Sequence, residues 1–344
     1  MAELQKKFIT FHNRIKVDSE ELREKRDIIL DKIKAYLKKK GHPVPELINQ
    51  GSYIYGVGIK PIGDLDYDID VGLAFNIKAS EYEAKTVRAW VYDAIKNHTM
   101  KVDPRGPCIR VYYSGKDYHV DLVCYAKFDN NDSIEDFKIA YKNNTWKSAD
   151  PKGLKGFIKN AREKFKITKV NGGPDQLQRI TRYLKRWNDV AIPKESETKP
   201  FGLAILLLVI DKLQFPVTDI NADSEDLRAL INVTSAAKSV LGRISIYKPT
   251  PEYEDVFGKL TDSAMDKLKQ RFSSLFAALC NAQEESDEEK GCKLLQKYFG
   301  DDFPDGESQS PSVEDISHNA AKIATMLAAA SGFNNPSKPW SADN

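Results

Sequence analysis

Long apolar runs are missing from this chain: the longest, Leu203 to Ile210, falls far short of the ~20 residues needed to cross a bilayer. The N-terminal segment Met1-Ala2-Glu3-Leu4-Gln5-Lys6-Lys7-Phe8 also lacks the apolar stretch of a secretion signal. A soluble, cytoplasmic protein with no membrane partner is therefore expected. Cysteine is scarce, and Cys108, Cys124, Cys280 and Cys292 have no C-x-x-C spacing. No histidine pair at zinc-ligand spacing accompanies them, so neither a zinc site nor a disulfide framework is supported. An excess of either charge is absent too: 52 Lys and Arg against 50 Asp and Glu leave a formal charge of +2. Proteins that grip duplex phosphates along their length carry a basic excess, so polymeric nucleic acid is not an expected partner.

What is present suffices for two lobes, since 344 residues exceed one average domain and 41% of them are hydrophobic. Leu22, Ile29, Ile33, Tyr36 and Leu37 recur at helical spacing and predict a long helix over 19–40, with a cap over Asp18 to Glu21. Alternation from Asp66 to Phe75 predicts a strand with Tyr67, Ile69, Val71, Leu73 and Phe75 on one face and Asp66, Asp68 and Asp70 on the other. Ser80 and Glu83 form an S-x-x-E box opening a further helix with Val87, Trp90, Val91 and Ile95 on its apolar stripe. Cys108 to Tyr113 and Tyr118 to Tyr125 read as a hairpin that places Asp121 within its second strand. Beyond Pro151 strand signals nearly vanish and helical patterns recur around 153–168, 174–189, 200–214, 224–240, 262–283 and 286–299. The expected organisation is an α+β core over 1–150, a helical lobe over 151–305, and a linker, short helix and polar tail over 306–344. Asp302 to Ser312 has linker composition, and the short helix falls near His318 to Ala330.

Three aspartates on one strand face repel each other unless solvent or a cation neutralises them. A D-x-D pair on a strand supplies adjacent ligands for divalent metal, and Asp121, in the run His119 to Val123, is a natural third carboxylate from a second strand. Taken alone, the stretch Gly63 to Asp68 also reads as a solvated turn entering an edge strand. Order and spacing favour the metal site: Gly51-Ser52, a loop, D-h-D within an apolar strand, then a strand-borne aspartate. His119 is on the same strand face as Asp121, where a satisfied strand histidine is the simpler reading against contact with an acceptor or phosphate. Lys60 offers a similar choice.

This order resembles the DNA polymerase β-like nucleotidyltransferase superfamily. The string QGSYIYGVGIKPIGDLDYDIDVGL over residues 50–73 is similar to one branch of it, the bacterial CD-NTases, relatives of cyclic GMP-AMP synthase. The likeness extends through Trp146 and the helix Leu177 to Asp189 to YFGDDFP over residues 298–304, covering about residues 10–305. It implies a polymerase β-like core of mixed sheet and helices plus a helical C-terminal lobe, with the active site in the cleft between them. It also implies two Mg²⁺ ions, with Mn²⁺ able to substitute, held by Asp68, Asp70 and Asp121, Asp66 being a bystander. Gly51 and Ser52 would grip the triphosphate of a nucleoside triphosphate such as ATP, and Lys185 would reach it from the helix. The stripe Leu177, Ile180, Leu184 and Trp187 packs inward, which leaves Arg179, Arg182 and Arg186 as a solvated basic face. The expected product is a cyclic di- or trinucleotide second messenger of bacterial anti-phage signalling, and a regulatory protein from the same operon is an allowed partner. The alternatives are a linear nucleotidyltransferase with the same metal site and a silent nucleotide-binding module.

Overall fold

The computed structural model describes residues 4–17, 20–63, 65–115, 118–129, 135–170, 172–192 and 198–307. The cap expected at Asp18 and the helix expected near His318 to Ala330 lie outside these residues. The elements run α1 (Gln5–Ile15), α2 (Glu20–Lys40), β1 (Glu46–Asn49), α3 (Gly51–Tyr55), β2 (Tyr67–Asn76), α4 (Ala84–Ile95), β3 (Lys101–Pro104), β4 (Ile109–Tyr112), β5 (Tyr118–Asp129), β6 (Glu135–Ala140) and β7 (Trp146–Ala149). Helices follow: α5 (Pro151–Glu163), α6 (Gln176–Ala191), α7 (Gly202–Lys212), α8 (Asp226–Lys238), α9 (Asp262–Glu284) and α10 (Glu288–Phe299). An α+β core thus precedes a helical lobe.

Seven strands form one mixed sheet in the order β1-β2-β5-β4-β3, with β6 bonded to β5 and β7 to β6. β2 and β5 run parallel, which requires a crossover, supplied here by α4 and the β3–β4 hairpin. Their register sets Asp68 beside His119 and Asp70 beside Asp121. Strand alternation then sorts the faces. Ile69, Val71, Leu73 and Phe75 pack with Val120 and Leu122 under Ile29, Ile33 and Leu37 of α2 and Val87, Val91 and Ile95 of α4. The opposite face carries the acidic end, flanked by a small cluster of Ile48, Ala74, Val123, Tyr125 and Phe137.

The helical lobe encloses a separate core that includes the first helix: Phe8 and Phe11 of α1 pack on Tyr183 of α6, with Phe11 and Tyr183 stacked at 5.3 Å between ring centroids. Helix α7 is buried from Ala204 to Val209, as its all-round apolarity requires.

Three local expectations fail for identifiable reasons. Helix α4 starts at Ala84 with Glu83 as its cap residue and no side-chain cap bond, so Ser80–Glu83 is not a capping box. The Glu83 carboxylate instead accepts from Asn144 and pairs with Lys85. The stretch from Asp302 is no linker at its start, because Phe303 is fully buried among Phe8, Phe11 and Phe299. Nor do the basic residues of α6 form a solvated face. Arg179 and Arg186 are each 1% exposed. Arg179 makes a two-pronged pair with Asp226 at 2.7 and 2.8 Å and caps the carbonyls of Thr168 and Pro174.

Candidate active site

The loop after α3 is fastened by one face of α6. Gln178 donates to the carbonyls of Tyr55 and Gly56, Lys185 to Val57, Arg182 to Gly58 and Arg186 to Lys60, at 3.0 to 3.1 Å. Five carbonyls of an irregular segment, which no strand or helix would satisfy, thereby gain partners. Tyr55, Val57 and Ile59 of this segment are buried in the helical lobe's core.

That anchoring sets α3 against the sheet. Gly51 has φ +78°, and a Cβ there would stand 2.8 Å from both Cβ and Cγ of Asp70 and nearer still to Oδ2. Glycine is the residue that permits this backbone to touch the carboxylate. Ser52 follows, its hydroxyl buried without a hydrogen-bond partner.

Both lobes line a cleft of about 1480 Å³: Gly51, Ser52, Asp66, Asp68, Asp70, Arg110 and His119 on one side, Lys185, Asn188, Lys199 and Phe201 on the other. Lys60 is exposed and does not line it. Burial pushes the Asp70 carboxyl well above its ordinary value, with the Asp68 and Asp121 carboxylates adding to the shift and Arg110 and Lys185 opposing it. Burial likewise lowers the Lys185 ammonium, against the pull of Asp68, Asp189 and Asp70.

Asp121 differs from expectation. It is 5% exposed and lies behind the cleft wall, and both its oxygens accept from Arg110 at 2.8 Å. Arg110 sits opposite Asp121 in the antiparallel β4–β5 pair. Arg110 belongs to no motif of its own, and its facing position in the hairpin is the sequence signal that marks it. His119 is also not the satisfied strand histidine: it is 3% exposed and neither ring nitrogen is hydrogen-bonded. Burial lowers its pKa, against the nearby Asp121 carboxylate. Among the described residues, ligand atoms of Asp68, His119 and Asp121 lie within 4.8 Å of one another, a grouping that could hold a cation. Asp70 stands beside this trio rather than in it.

The core of the chain, residues 45–125, matches the family model of the nucleotidyltransferase domain of cyclic GMP-AMP synthase DncV-like proteins. A c-di-GMP synthase of Roseivirga ehrenbergii is 26% identical over 221 residues, covering 62% of this chain. The matched stretch spans about half, 53%, of that relative's length. Among solved structures, the Vibrio cholerae DncV cyclic AMP-GMP synthase superposes with a TM-score of 0.69 at 16% identity, over 85% of this chain and 94% of that one. CdnC of Escherichia coli MS115-1, solved with ATP, superposes at 0.65 and 17% identity, over 87% and 98%. A nucleotidyltransferase domain match over residues 45–125, a two-lobed fold shared with DncV and CdnC over most of the chain, and acidic side chains facing the cleft between the lobes make this chain similar to the bacterial CD-NTases.

Proposed function

We propose that the chain is a metal-dependent nucleotidyltransferase that joins nucleoside triphosphates into a cyclic di- or trinucleotide, a second messenger of bacterial anti-phage (CBASS) signalling made in the cytoplasm. The observation that carries this reading is the parallel β2–β5 register, which brings Asp68, Asp70, His119 and Asp121 to one sheet face beside Gly51. Raised proton affinity at Asp70 and bare nitrogens on His119 are what a cation-binding cluster has when its charge is uncompensated, so the residues fit a divalent metal. Mg²⁺, with Mn²⁺ as substitute, would be held by Asp68, Asp70 and Asp121, offsetting charge on the triphosphate and on the attacking oxygen.

The chain's own residues do the rest. Gly51 and the free hydroxyl of Ser52 hold the donor triphosphate, and Lys185 approaches it from α6 as a point charge. The acceptor's 3′- or 2′-hydroxyl forms a bond to the α-phosphorus as the bond to pyrophosphate breaks, its proton passing to a carboxylate of the acidic cluster. Asp121, held by Arg110 behind the cleft wall, adds its charge to the cation site. Walls from both lobes exclude water and fix the second nucleotide, which supplies proximity. ATP is a fitting substrate, since CdnC was solved with it, and guanine nucleotides are made into product by the Roseivirga and Vibrio relatives. A regulatory protein from the same operon is consistent with this reading.

Incubation with radiolabelled triphosphates and Mg²⁺ or Mn²⁺ tests the proposal. A phosphatase-resistant product that vanishes in the Asp68→Ala, Asp70→Ala double variant is expected. Phosphatase-sensitive linear products alone would replace the cyclase by a linear transferase, and no incorporation with any triphosphate or cation would remove the enzymatic reading.

A further inference from the structure

His119 has no task in the reaction just proposed, yet its placement is costly. A buried imidazole with neither nitrogen bonded gives up its water without compensation. Its ring meets Tyr112 in a tilted contact at 5.9 Å between centroids. Its Nδ1 lies 3.6 Å from Asp66 Oδ2 and its Nε2 3.9 Å from Asp121 Oδ2, too far for hydrogen bonds in both directions. The same imidazole stands at the cleft wall and shares a 4.8 Å grouping with Asp68 and Asp121. Asp121 is the weaker partner there, because Arg110 already occupies both its oxygens. A lone pair on nitrogen is the donor least committed to other groups.

We propose that His119 is a direct ligand of the active-site cation, completing with Asp68 and Asp121 a mixed nitrogen–oxygen site that selects Mn²⁺ over Mg²⁺. Mg²⁺ takes oxygen donors and keeps its waters; Mn²⁺ also favours carboxylate and is the weakest binder of the first-row series, but as a transition ion it accepts an imidazole nitrogen more readily than Mg²⁺ does. This rests on the nucleotidyltransferase reading for the site's purpose but not for its test, which reads cation binding without nucleotide. Asp66, 3.6 Å from the ring, acquires a role as the outer carboxylate that orients it, the usual companion of a metal-bound histidine.

The experiment is Mn²⁺ titration of the nucleotide-free protein, with the free ion counted by electron paramagnetic resonance and ¹⁴N coupling read by pulsed methods. Wild type should show coupling from one directly bound nitrogen. His119→Gln should lose it and bind Mn²⁺ about tenfold more weakly, while Mg²⁺ affinity, read by displacement of Mn²⁺, falls less than about threefold. Mn²⁺-loaded wild type without nitrogen coupling, or equal losses of both cations in His119→Gln, overturns the proposal. Should His119→Gln misfold, as judged by its metal-free melting curve, the wild-type spectrum alone decides. Nitrogen coupling without nucleotide product would sink the enzymatic reading only, and product without nitrogen coupling would sink the ligand proposal only.

Discussion

Replacing Gly51 by alanine should separate folding from catalysis. The added Cβ would stand 2.8 Å from Cβ and Cγ of Asp70, about 0.6 Å inside the 3.4 Å of ordinary contact, and Oδ2 is nearer still. Asp70 must then retreat by a distance on the order of 1 Å at its carboxylate. Displacements of that size at a reacting centre cost roughly 100-fold in rate. The left-handed backbone at φ +78° adds about 1–2 kcal/mol of strain for a residue with a Cβ. Gly41 supplies the control: its φ is +73°, but a Cβ there meets nothing within 4 Å. Gly41→Ala should therefore lose a similar 1–2 kcal/mol by roughly the same strain and keep its activity. The assay pairs thermal melting with nucleotide incorporation under saturating cation. Turnover in Gly51→Ala within about threefold of wild type, or an equal loss in Gly41→Ala, would refute the argument that Gly51 exists to let α3 lie against Asp70.

Other outcomes follow from the same geometry. The raised pKa of Asp70 means the folded, metal-free protein keeps a proton that the unfolded chain releases above 3.8, so its stability should fall as pH rises through that window. Asp70→Asn should flatten this slope in melting curves taken with chelator, and added divalent cation should flatten it in wild type. Arg110→Gln, which strips both bonds from a mostly buried Asp121, should cost about 1–3 kcal/mol and lower kcat more than it raises KM; Arg110→Lys should recover part of each. Arg179→Ala leaves Asp226 buried without its cation and should cost about 3–5 kcal/mol in denaturant unfolding. Lys185→Ala removes one bond to the Val57 carbonyl, so it should raise KM for triphosphate severalfold while stability moves by about 1 kcal/mol.

Strand β2, its acidic face and the run of C-terminal helices were legible because period-two and period-3.6 patterns are local. The order of Gly51, Ser52 and the aspartates was legible, and the structure brings Gly51, Ser52, Asp68 and Asp70 to one cleft. The pairing of β2 with β5 was not, since register across 50 intervening residues is a tertiary property, and with it went the neighbours it creates: His119 beside Asp68 and Asp121 beside Asp70. Helix α6 shows the same limit. Its stripe of Leu177, Ile180, Leu184 and Trp187 has the local pattern of a buried face and is buried, but nothing local marks Arg179, Arg182 and Arg186 as covered, because acceptors that cover them come from distant parts of the chain.

The fastening of residues 55–60 to α6 also decides what moves with what. Mechanically the segment after α3 belongs to the helical lobe, though it precedes β2 in the chain, while the aspartates belong to the sheet. The seam between the two bodies therefore crosses the active site at α3, where Gly51 leans on Asp70. Any hinge opening of the cleft acts as a lever on that contact. Under the proposed function, a nucleotide that bridged the lobes and a cation that settled the carboxylates would both bear on that contact, and if they favour one arrangement of it, each should tighten the binding of the other by the same factor.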